Sequence, residues 1–147
     1  MNNRYTFRGR RYDNGEWIEG WITSQFKKTH DGEVLTRIKS TVFGGGEHLV
    51  NTETVGQCTG LKDKNGKLIF EGDVVKADGY IFIVKFGKCG GVANNENYGY
   101  MGYYLDGFDS MTKDVLRFGL RNDICYFTDI DVIGNIHDNP ESLEVER

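Results

Sequence analysis

Closely spaced turn signals between short apolar runs are the feature that most constrains the fold of this chain. Between residues 61 and 86, three such signals separate runs rich in Val, Ile and Phe: Asp63-Lys64-Asn65-Gly66, Glu71-Gly72-Asp73 and Asp78-Gly79. Asn65 and Gly66 accept the positive φ that tight hairpin loops require, and Asp63 can cap the first turn through its carboxylate. Apolar runs this short suit strands better than helices. The region therefore predicts consecutive β-hairpins.

The residue types of the whole chain point to the same structural class. There are 20 glycines, 8 tyrosines, 9 phenylalanines and a single proline, and aromatic and β-branched residues are enriched in strands. The expected strands follow the apolar runs: Tyr5–Arg8, Trp17–Thr23, Glu33–Val42, Val74–Lys76, Tyr80–Phe86, Tyr98–Leu105 and Ile130–Ile136. The run Tyr80–Phe86 is apolar at nearly every position, which predicts a buried central strand.

One segment predicts a substantial helix. Ser110 is a possible N-cap, Met111 and Val115 are four residues apart, and Gly119 is a stop signal after Phe118. A short terminal helix is expected over Glu141–Val145, after Pro140. The predicted fold is therefore mainly β with minor α: a small, barrel-like, strongly curved antiparallel sheet capped by the helix Ser110–Phe118.

Size and hydropathy predict one soluble domain. A chain of 147 residues and 16.7 kDa is long enough to bury a single core, so one domain over residues 1–147 is expected. No apolar run is long enough to span a bilayer. The first residues lack an apolar signal core, which predicts a cytoplasmic protein without membrane contact.

The potential metal ligands and nucleophiles are scattered along the chain. They are three cysteines and three histidines: Cys58, Cys89, Cys125, His30, His48 and His137. The cysteines are odd in number and form no C-x-x-C pair, which favours free thiols over disulfides or a zinc site. No metal or other cofactor is expected.

Two glycine patterns resemble phosphate-binding loops only superficially. Five residues separate Gly60 from Gly66-Lys67 where a P-loop has four, and Leu68 replaces the Ser or Thr that would hold magnesium. The segments Gly44–Gly46 and Gly87–Gly91 lack dinucleotide-binding spacing. Flexible loops are the favoured interpretation of both segments.

The charges are distributed unevenly. Basic residues are frequent near the start, at Arg4, Arg8, Arg10, Arg11 and Lys27-Lys28, and acidic ones near the end, at Asp138, Glu141, Glu144 and Glu146. The basic residues could follow a phosphate backbone, with aromatic side chains stacking on bases. A sequence pI near 5.4 counts against this, because such binding modules are usually basic.

Two blocks of sequence resemble the YopX family. They run from Val55 to Lys76 and from Asp131 to Glu141, in the family's order and spacing, and Phe7-Arg8 matches a family pair near the start. The resemblance implies a protein encoded by a bacteriophage or prophage, with a barrel-like β core capped by a helix. It implies no established activity and no catalytic residues.

The residues of the first block also have a plain structural interpretation. Gly60, Asp63, Gly66, Gly72 and Asp73 are the residues that two consecutive tight turns require. The alternative is that Asp73 and Glu71 form a carboxylate pair for acid-base chemistry. Turn capping is favoured over this alternative. No catalytic, cofactor-binding or metal-binding residue is therefore assigned.

The expected function is a noncatalytic interaction or assembly module of unknown biochemical activity. Both faces of the strand at Trp17–Thr23 carry large apolar groups, and self-association would cover the outward ones, so a homo-oligomer is expected. An unidentified protein partner is compatible with this prediction. The alternative is a nucleic-acid-binding small β-barrel, and an enzyme ranks third because no catalytic constellation is visible.

Overall fold

The chain folds mainly into β-strands, as the sequence predicts. The computed structural model describes residues 5–27, 32–90, 99–109, 111–120 and 129–140. Its strands are β1 (Phe7–Arg10), β2 (Trp17–Lys27), β3 (Val34–Ser40), β4 (Glu47–Asn51), β5 (Gly56–Lys62), β6 (Leu68–Phe70), β7 (Asp73–Ala77), β8 (Tyr80–Gly90), β9 (Gly99–Asp109), β10 (Asp114–Gly119) and β11 (Asp131–Asn135). A 3-10 turn covers Thr52–Thr54. Within the described ranges, no helix has the length and apolar character needed to cross a membrane.

The strands form two antiparallel sheets. Their hydrogen-bonded orders are β4-β3-β2-β1-β5-β6 and β10-β9-β8-β7-β11. The described strands close no barrel, so the single barrel-like sheet predicted from the sequence is wrong. The physical reason lies at Gly72, where the chain turns with φ +91° and leaves the first sheet after β6 to begin the second with β7.

By its internal contacts the chain divides into two compact units, Met1–Gly60 and Leu61–Arg147. We refer to them as the first unit and the second unit. That residues 1–147 form one domain stays a prediction.

The core of the first unit lies on one face of β2 and its neighbours. Ile18, Ile38 and Val50 are its buried members. Gly20 follows Ile18 in β2, where a Cβ would lie only 1.8 Å from the carbonyl oxygen of Lys39. The absence of a side chain at Gly20 therefore permits the close approach of β2 and β3. A larger residue at this position would require a backbone shift.

The core of the second unit lies on one face of β7, β8 and β9, which we call the core face. Phe82, Val84 and Leu105 are at most 1% exposed, and the rings of Phe82 and Phe118 meet edge to face at 5.8 Å. The buried central strand predicted at Tyr80–Phe86 is confirmed for its middle, since β8 is the third of five strands. Its ends are more exposed than predicted.

The helix predicted over Ser110–Phe118 is wrong. Oδ1 of Asp109 accepts a hydrogen bond from the N–H of Met111 at 2.9 Å, and Lys113 takes φ +66°. These contacts form a tight turn that leads into β10. Met111 is 91% exposed and Val115 53% exposed, so the apolar spacing of four residues creates no buried helical face. Pairing with β9 satisfies the backbone groups instead.

Most other strands lie within a few residues of their predicted positions. The first strand is Phe7–Arg10 rather than Tyr5–Arg8, and the final one, Asp131–Asn135, pairs with β7 at an edge of the second sheet. The hairpin predicted between the apolar runs at 61 and 70 is confirmed as the connection between β5 and β6. The terminal helix expected over Glu141–Val145 lies outside the described residues.

Candidate functional site

The hairpin between β5 and β6 is organised around the carboxylate of Asp63. Oδ1 accepts hydrogen bonds from the backbone N–H groups of Asn65 and Lys67, both at 2.9 Å. Oδ2 accepts a third, at 3.0 Å, from the N–H of Val132 in β11. Gly66 adopts φ +83° within the same turn. One carboxylate therefore joins a local turn to a strand that lies 69 residues later in the sequence.

The surroundings of Asp63 favour its charged form. The residue is 7% exposed. Burial acts to raise the pKa of Asp63, but the hydrogen bonds from three backbone N–H groups outweigh burial and hold that pKa below its ordinary value. A carboxylate that stays ionised and has its lone pairs occupied is poorly suited to proton transfer at neutral pH. The geometry therefore favours a structural role for Asp63.

The second turn of the motif also contains a buried carboxylate. Oδ2 of Asp73, which is 1% exposed, accepts a hydrogen bond from the N–H of Phe70 at 2.8 Å. The N–H of Gly72 donates to the carbonyl of Val84 at 2.8 Å. Glu71 is half-buried, and that burial raises its pKa. Asp73 thus caps its own turn, the role that the sequence favours over acid-base chemistry with Glu71.

Two N-terminal arginines pack against a tryptophan within the first unit. The guanidinium carbons of Arg8 and Arg10 lie 5.1 and 5.4 Å from the ring centroid of Trp17, because Arg10 lies directly opposite Trp17 in the β1–β2 ladder and Arg8 shares its face. Arg11 instead pairs with Asp13 at 2.7 Å. These three arginines, which the sequence offers as contacts for a phosphate backbone, therefore have contacts within the fold. Other basic residues of that set lie outside the described residues: Arg4 and Lys28.

The described cysteine and histidine side chains lie in separate local settings. Cys58 is buried and takes part in no disulfide bond within the described residues. Nε2 of His48 lies 2.7 Å from the carbonyl oxygen of Gly45, and the backbone N–H of His137 donates to Oδ1 of Asn135 at 3.0 Å. In the parts of the chain that the structure describes, no three His, Cys, Asp or Glu residues are placed to hold a metal ion. His30 and Cys125 lie outside the described residues, and the side chain of Cys89 is not described.

The described parts of the glycine-rich segments lie within strands and hairpins, so the flexible loop favoured from the sequence is wrong for Gly87–Gly90. Gly44–Gly46 belongs to the turn between β3 and β4, where the N–H of Gly45 donates to the carbonyl of Val42 at 2.9 Å. Gly60 lies inside β5, and Gly87 lies inside β8. A phosphate-binding loop needs a strand followed by a helix N-terminus, and neither segment leads into a helix within the described ranges.

The first unit contains an open groove of about 350 Å³. Its described lining lies around the start of β3 and the end of β4: Glu33, Val34, Asn51, Thr52 and Glu53. Oγ1 of Thr52 donates to the carbonyl of Val34 at 2.7 Å, which ties the two sides of the groove together. Small-molecule sites are mostly apolar with a few convergent polar groups. Since Val34 is the one apolar residue among the described lining residues, we assign no ligand to the groove.

An apolar patch on the β8–β9 ladder was not predicted from the sequence. Phe86 lies opposite Tyr103, and their rings meet at 5.0 Å with an interplanar angle of 66°. Met101 lies two residues from Tyr103 on the same face of β9. Phe86 is 52% exposed and Met101 67% exposed. We call these three residues the distal patch; only the strand register shows that they are neighbours.

Comparison with known proteins assigns the chain to a family. The family model described as YopX protein matches residues 6–144. No curated protein matches the sequence. A solved structure, that of protein EF1440 from Enterococcus faecalis, is similar over 94% of this chain and 96% of its own, with 23% sequence identity and a TM-score of 0.37. The match to the family model spans nearly the whole sequence, and the chain therefore belongs to the YopX family.

Proposed function

We propose that this chain is a noncatalytic interaction module, encoded by a phage or prophage and acting in the cytoplasm of the bacterial host by assembling with further copies of itself. The family resemblance supports the phage context. The buried carboxylates of the two turns support a noncatalytic role, because Asp63 and Asp73 accept hydrogen bonds from the backbone.

The distal patch is the observation that carries this proposal. It continues the core face of the second unit: the pair Val84 and Leu105 is at most 1% exposed, and the next pair on that face, Phe86 and Tyr103, leads out to the exposed Met101. Contiguous apolar patches on a protein surface often mark interaction sites, whereas single exposed apolar residues are common and need no such explanation. Aromatic residues and methionine are also enriched in protein interfaces.

A second copy of the chain is the partner that best fits this patch. Two copies related by a two-fold axis would cover each other's patch with the same residues, so that one surface suffices. Strand β10 also ends the second sheet without a further partner among the described strands. Open edges favour pairing between chains. Self-association can cover both the distal patch and an unpaired strand edge. A different protein would have to present a surface complementary to them.

Nucleic acid is the less favoured partner. Arg8 and Arg10 stack on Trp17, and Arg11 pairs with an aspartate, so these side chains have reduced freedom to contact phosphates. The formal net charge of the chain is -4, which opposes association with a polyanion. We expect no tight, salt-sensitive binding of DNA or RNA at physiological ionic strength.

Light scattering across a range of protein concentrations tests the proposal. We expect a mass that is a multiple of 16.7 kDa for the unaltered chain. The variant Phe86→Glu should shift the mass toward the monomer, because it places a charge in the apolar contact. Ile133→Glu is the matched control: Ile133 is 50% exposed and lies on β11, outside the distal patch, so its charge should leave the assembly intact.

A mass that stays at 16.7 kDa from micromolar to millimolar concentration would show that the chain does not self-associate. Equal effects of Phe86→Glu and Ile133→Glu would show that the distal patch is not the contact surface. Circular dichroism of both variants before the measurement ensures that a loss of assembly is not a loss of fold.

A further inference from the structure

A polar cluster lies on the face of the second sheet opposite the core face. It consists of Lys85 in β8, Asp106 in β9 and Arg117 in β10. The antiparallel register places Arg117 directly opposite Asp106. Lys85 lies two positions along β8 from Ile83, the residue opposite Asp106, so all three side chains share one face. We call these residues the basic cluster.

The carboxylate of the basic cluster is buried, whereas its two cations reach the surface. The side chain of Asp106 is 1% exposed, that of Lys85 39% and that of Arg117 55%. Nζ of Lys85 lies 2.5 Å from Oδ2 of Asp106, and Nε of Arg117 lies 3.4 Å from Oδ1. One buried carboxylate thus holds two cations side by side.

Each cation keeps most of its hydrogen-bond donors available. Lys85 donates one hydrogen bond from its ammonium group to Asp106, and Arg117 donates one from Nε. A guanidinium has five N–H donors and an ammonium three, so the terminal nitrogens of Arg117 and the remaining N–H bonds of Lys85 can contact a ligand. Two positive charges against one negative charge leave the basic cluster with a net positive charge, in a chain whose formal net charge is -4.

Among the described residues, the neighbours on this face leave both cations partly exposed. Tyr104 lies between Lys85 and Gly119 in the ladder. Its Cε1 atom is 3.8 Å from the place that a Cβ on Gly87 would occupy, so the ring extends along β8 away from Arg117. Gly87 and Gly119 have no side chains to fill the remaining space. Among the described residues, two partly exposed cations therefore lie at one side of this face and an aromatic ring lies at the other.

We propose that the basic cluster binds a small phosphate-bearing molecule. The planar fork of a guanidinium matches two oxygens of a phosphate, and an ammonium adds a compact charge beside it. Because Asp106 holds both cations in place, a ligand would need to order less of the two long side chains on binding. A nucleic-acid backbone would need a row of cations, whereas the basic cluster offers one pair. This inference does not rest on the proposed assembly, since the distal patch lies on the core face.

Titration with inorganic phosphate at constant ionic strength, monitored by backbone amide chemical shifts, tests this site. We expect saturable shifts confined to β8, β9 and β10, and tighter binding of a nucleoside monophosphate than of phosphate alone. Lys85→Gln and Arg117→Gln should each weaken binding about tenfold, the effect of losing one charge-assisted contact. Lys76→Gln removes an exposed positive charge from the neighbouring strand β7 and should change binding by less than about twofold because of screening.

A second substitution separates binding from folding. Arg117→Lys keeps the positive charge beside Asp106 but lacks the fork, so it should melt at the temperature of the unaltered chain and still bind phosphate more weakly. Shifts that do not saturate, or equal effects of Lys76→Gln and Arg117→Gln, would overturn the proposal. A single-stranded oligonucleotide that binds more tightly per phosphate than the monophosphate would overturn the assignment to a small molecule.

Discussion

Replacing Asp63 by alanine is the change that most directly tests how the turn between β5 and β6 stabilises the second unit. The substitution removes both carboxylate oxygens. It leaves the N–H groups of Asn65, Lys67 and Val132 without their acceptor. Asp63→Ala should therefore weaken the hairpin turn and its connection to β11 at the same time.

The size of the effect follows from these three contacts. A hydrogen bond to a charged group contributes about 1.5–3 kcal/mol, and contributions from one network are not additive. The exposed side of the turn lets water replace some of the lost contacts. We therefore expect Asp63→Ala to lower the free energy of unfolding by about 3 kcal/mol, a large share of the roughly 5–15 kcal/mol by which domains are stable.

Equilibrium unfolding in urea, monitored by far-ultraviolet circular dichroism, measures this change. Amide hydrogen exchange should show faster exchange at Lys67 and Val132 than elsewhere in the second unit. The matched control is Asp13→Ala, because Asp13 is also a turn aspartate but its side chain is 64% exposed in its pair with Arg11. The control should leave the unfolding midpoint nearly unchanged, because an exposed ion pair contributes little to stability.

The effect of Asp63→Ala should also depend on pH. The pKa of Asp63 is held below its ordinary value in the folded chain. Its contribution is therefore complete above the unfolded pKa of about 3.9 and is lost as the pH falls through the folded value. The difference between the variant and the unaltered chain should shrink in acid. A difference below about 0.5 kcal/mol at neutral pH, within the range of ordinary surface substitutions, would refute the role given to this carboxylate.

Three further substitutions test backbone and packing features of the fold by the same unfolding measurement. Gly66→Val should destabilise by about 1 kcal/mol or more, because φ is +83° there; Gly66→Asn should cost less, and equal costs would contradict the conformational explanation. Gly20→Ala should cost about 1–3 kcal/mol, since its Cβ would meet the carbonyl of Lys39, whereas Gly87→Ala, with its nearest contact at 3.8 Å, should be neutral or stabilising. Trp17→Leu should lower the free energy of unfolding by about 1–2 kcal/mol through the loss of two cation-π contacts. An unchanged unfolding midpoint would show that the stacked arginines do not stabilise the fold.

The incorrect helix shows where local sequence reasoning reaches its limit. Met111 and Val115 have helical spacing, but the same residues fit a turn followed by a strand. Asp109 lies just ahead of the segment and accepts hydrogen bonds from the N–H groups that a helix start would have used. The aromatic strand β9 then offers a partner along the whole of β10. Long-range pairing therefore decided a segment whose local signals were ambiguous.

The polar clusters show the same limit for function. The sequence identifies Asp63 as a turn cap, because its partners Asn65 and Lys67 are close in sequence. It does not reveal the bond to Val132. Nor does it indicate that charged residues from three strands meet at Asp106, since no local pattern predicts strand register between β8, β9 and β10.

The sequence by itself determined the β class, the family and the tight turn at Asp63 and Gly66. Each of these depends on residue types within a few positions of one another, such as the aspartate and glycine of the turn at Asp63 and Gly66. Tertiary structure alone decided that the strands form two sheets, that β10 replaces a helix, and which apolar and charged side chains stand together at the surface. Those outcomes depend on which strands pair and in what register, a choice made by contacts between residues distant in the chain.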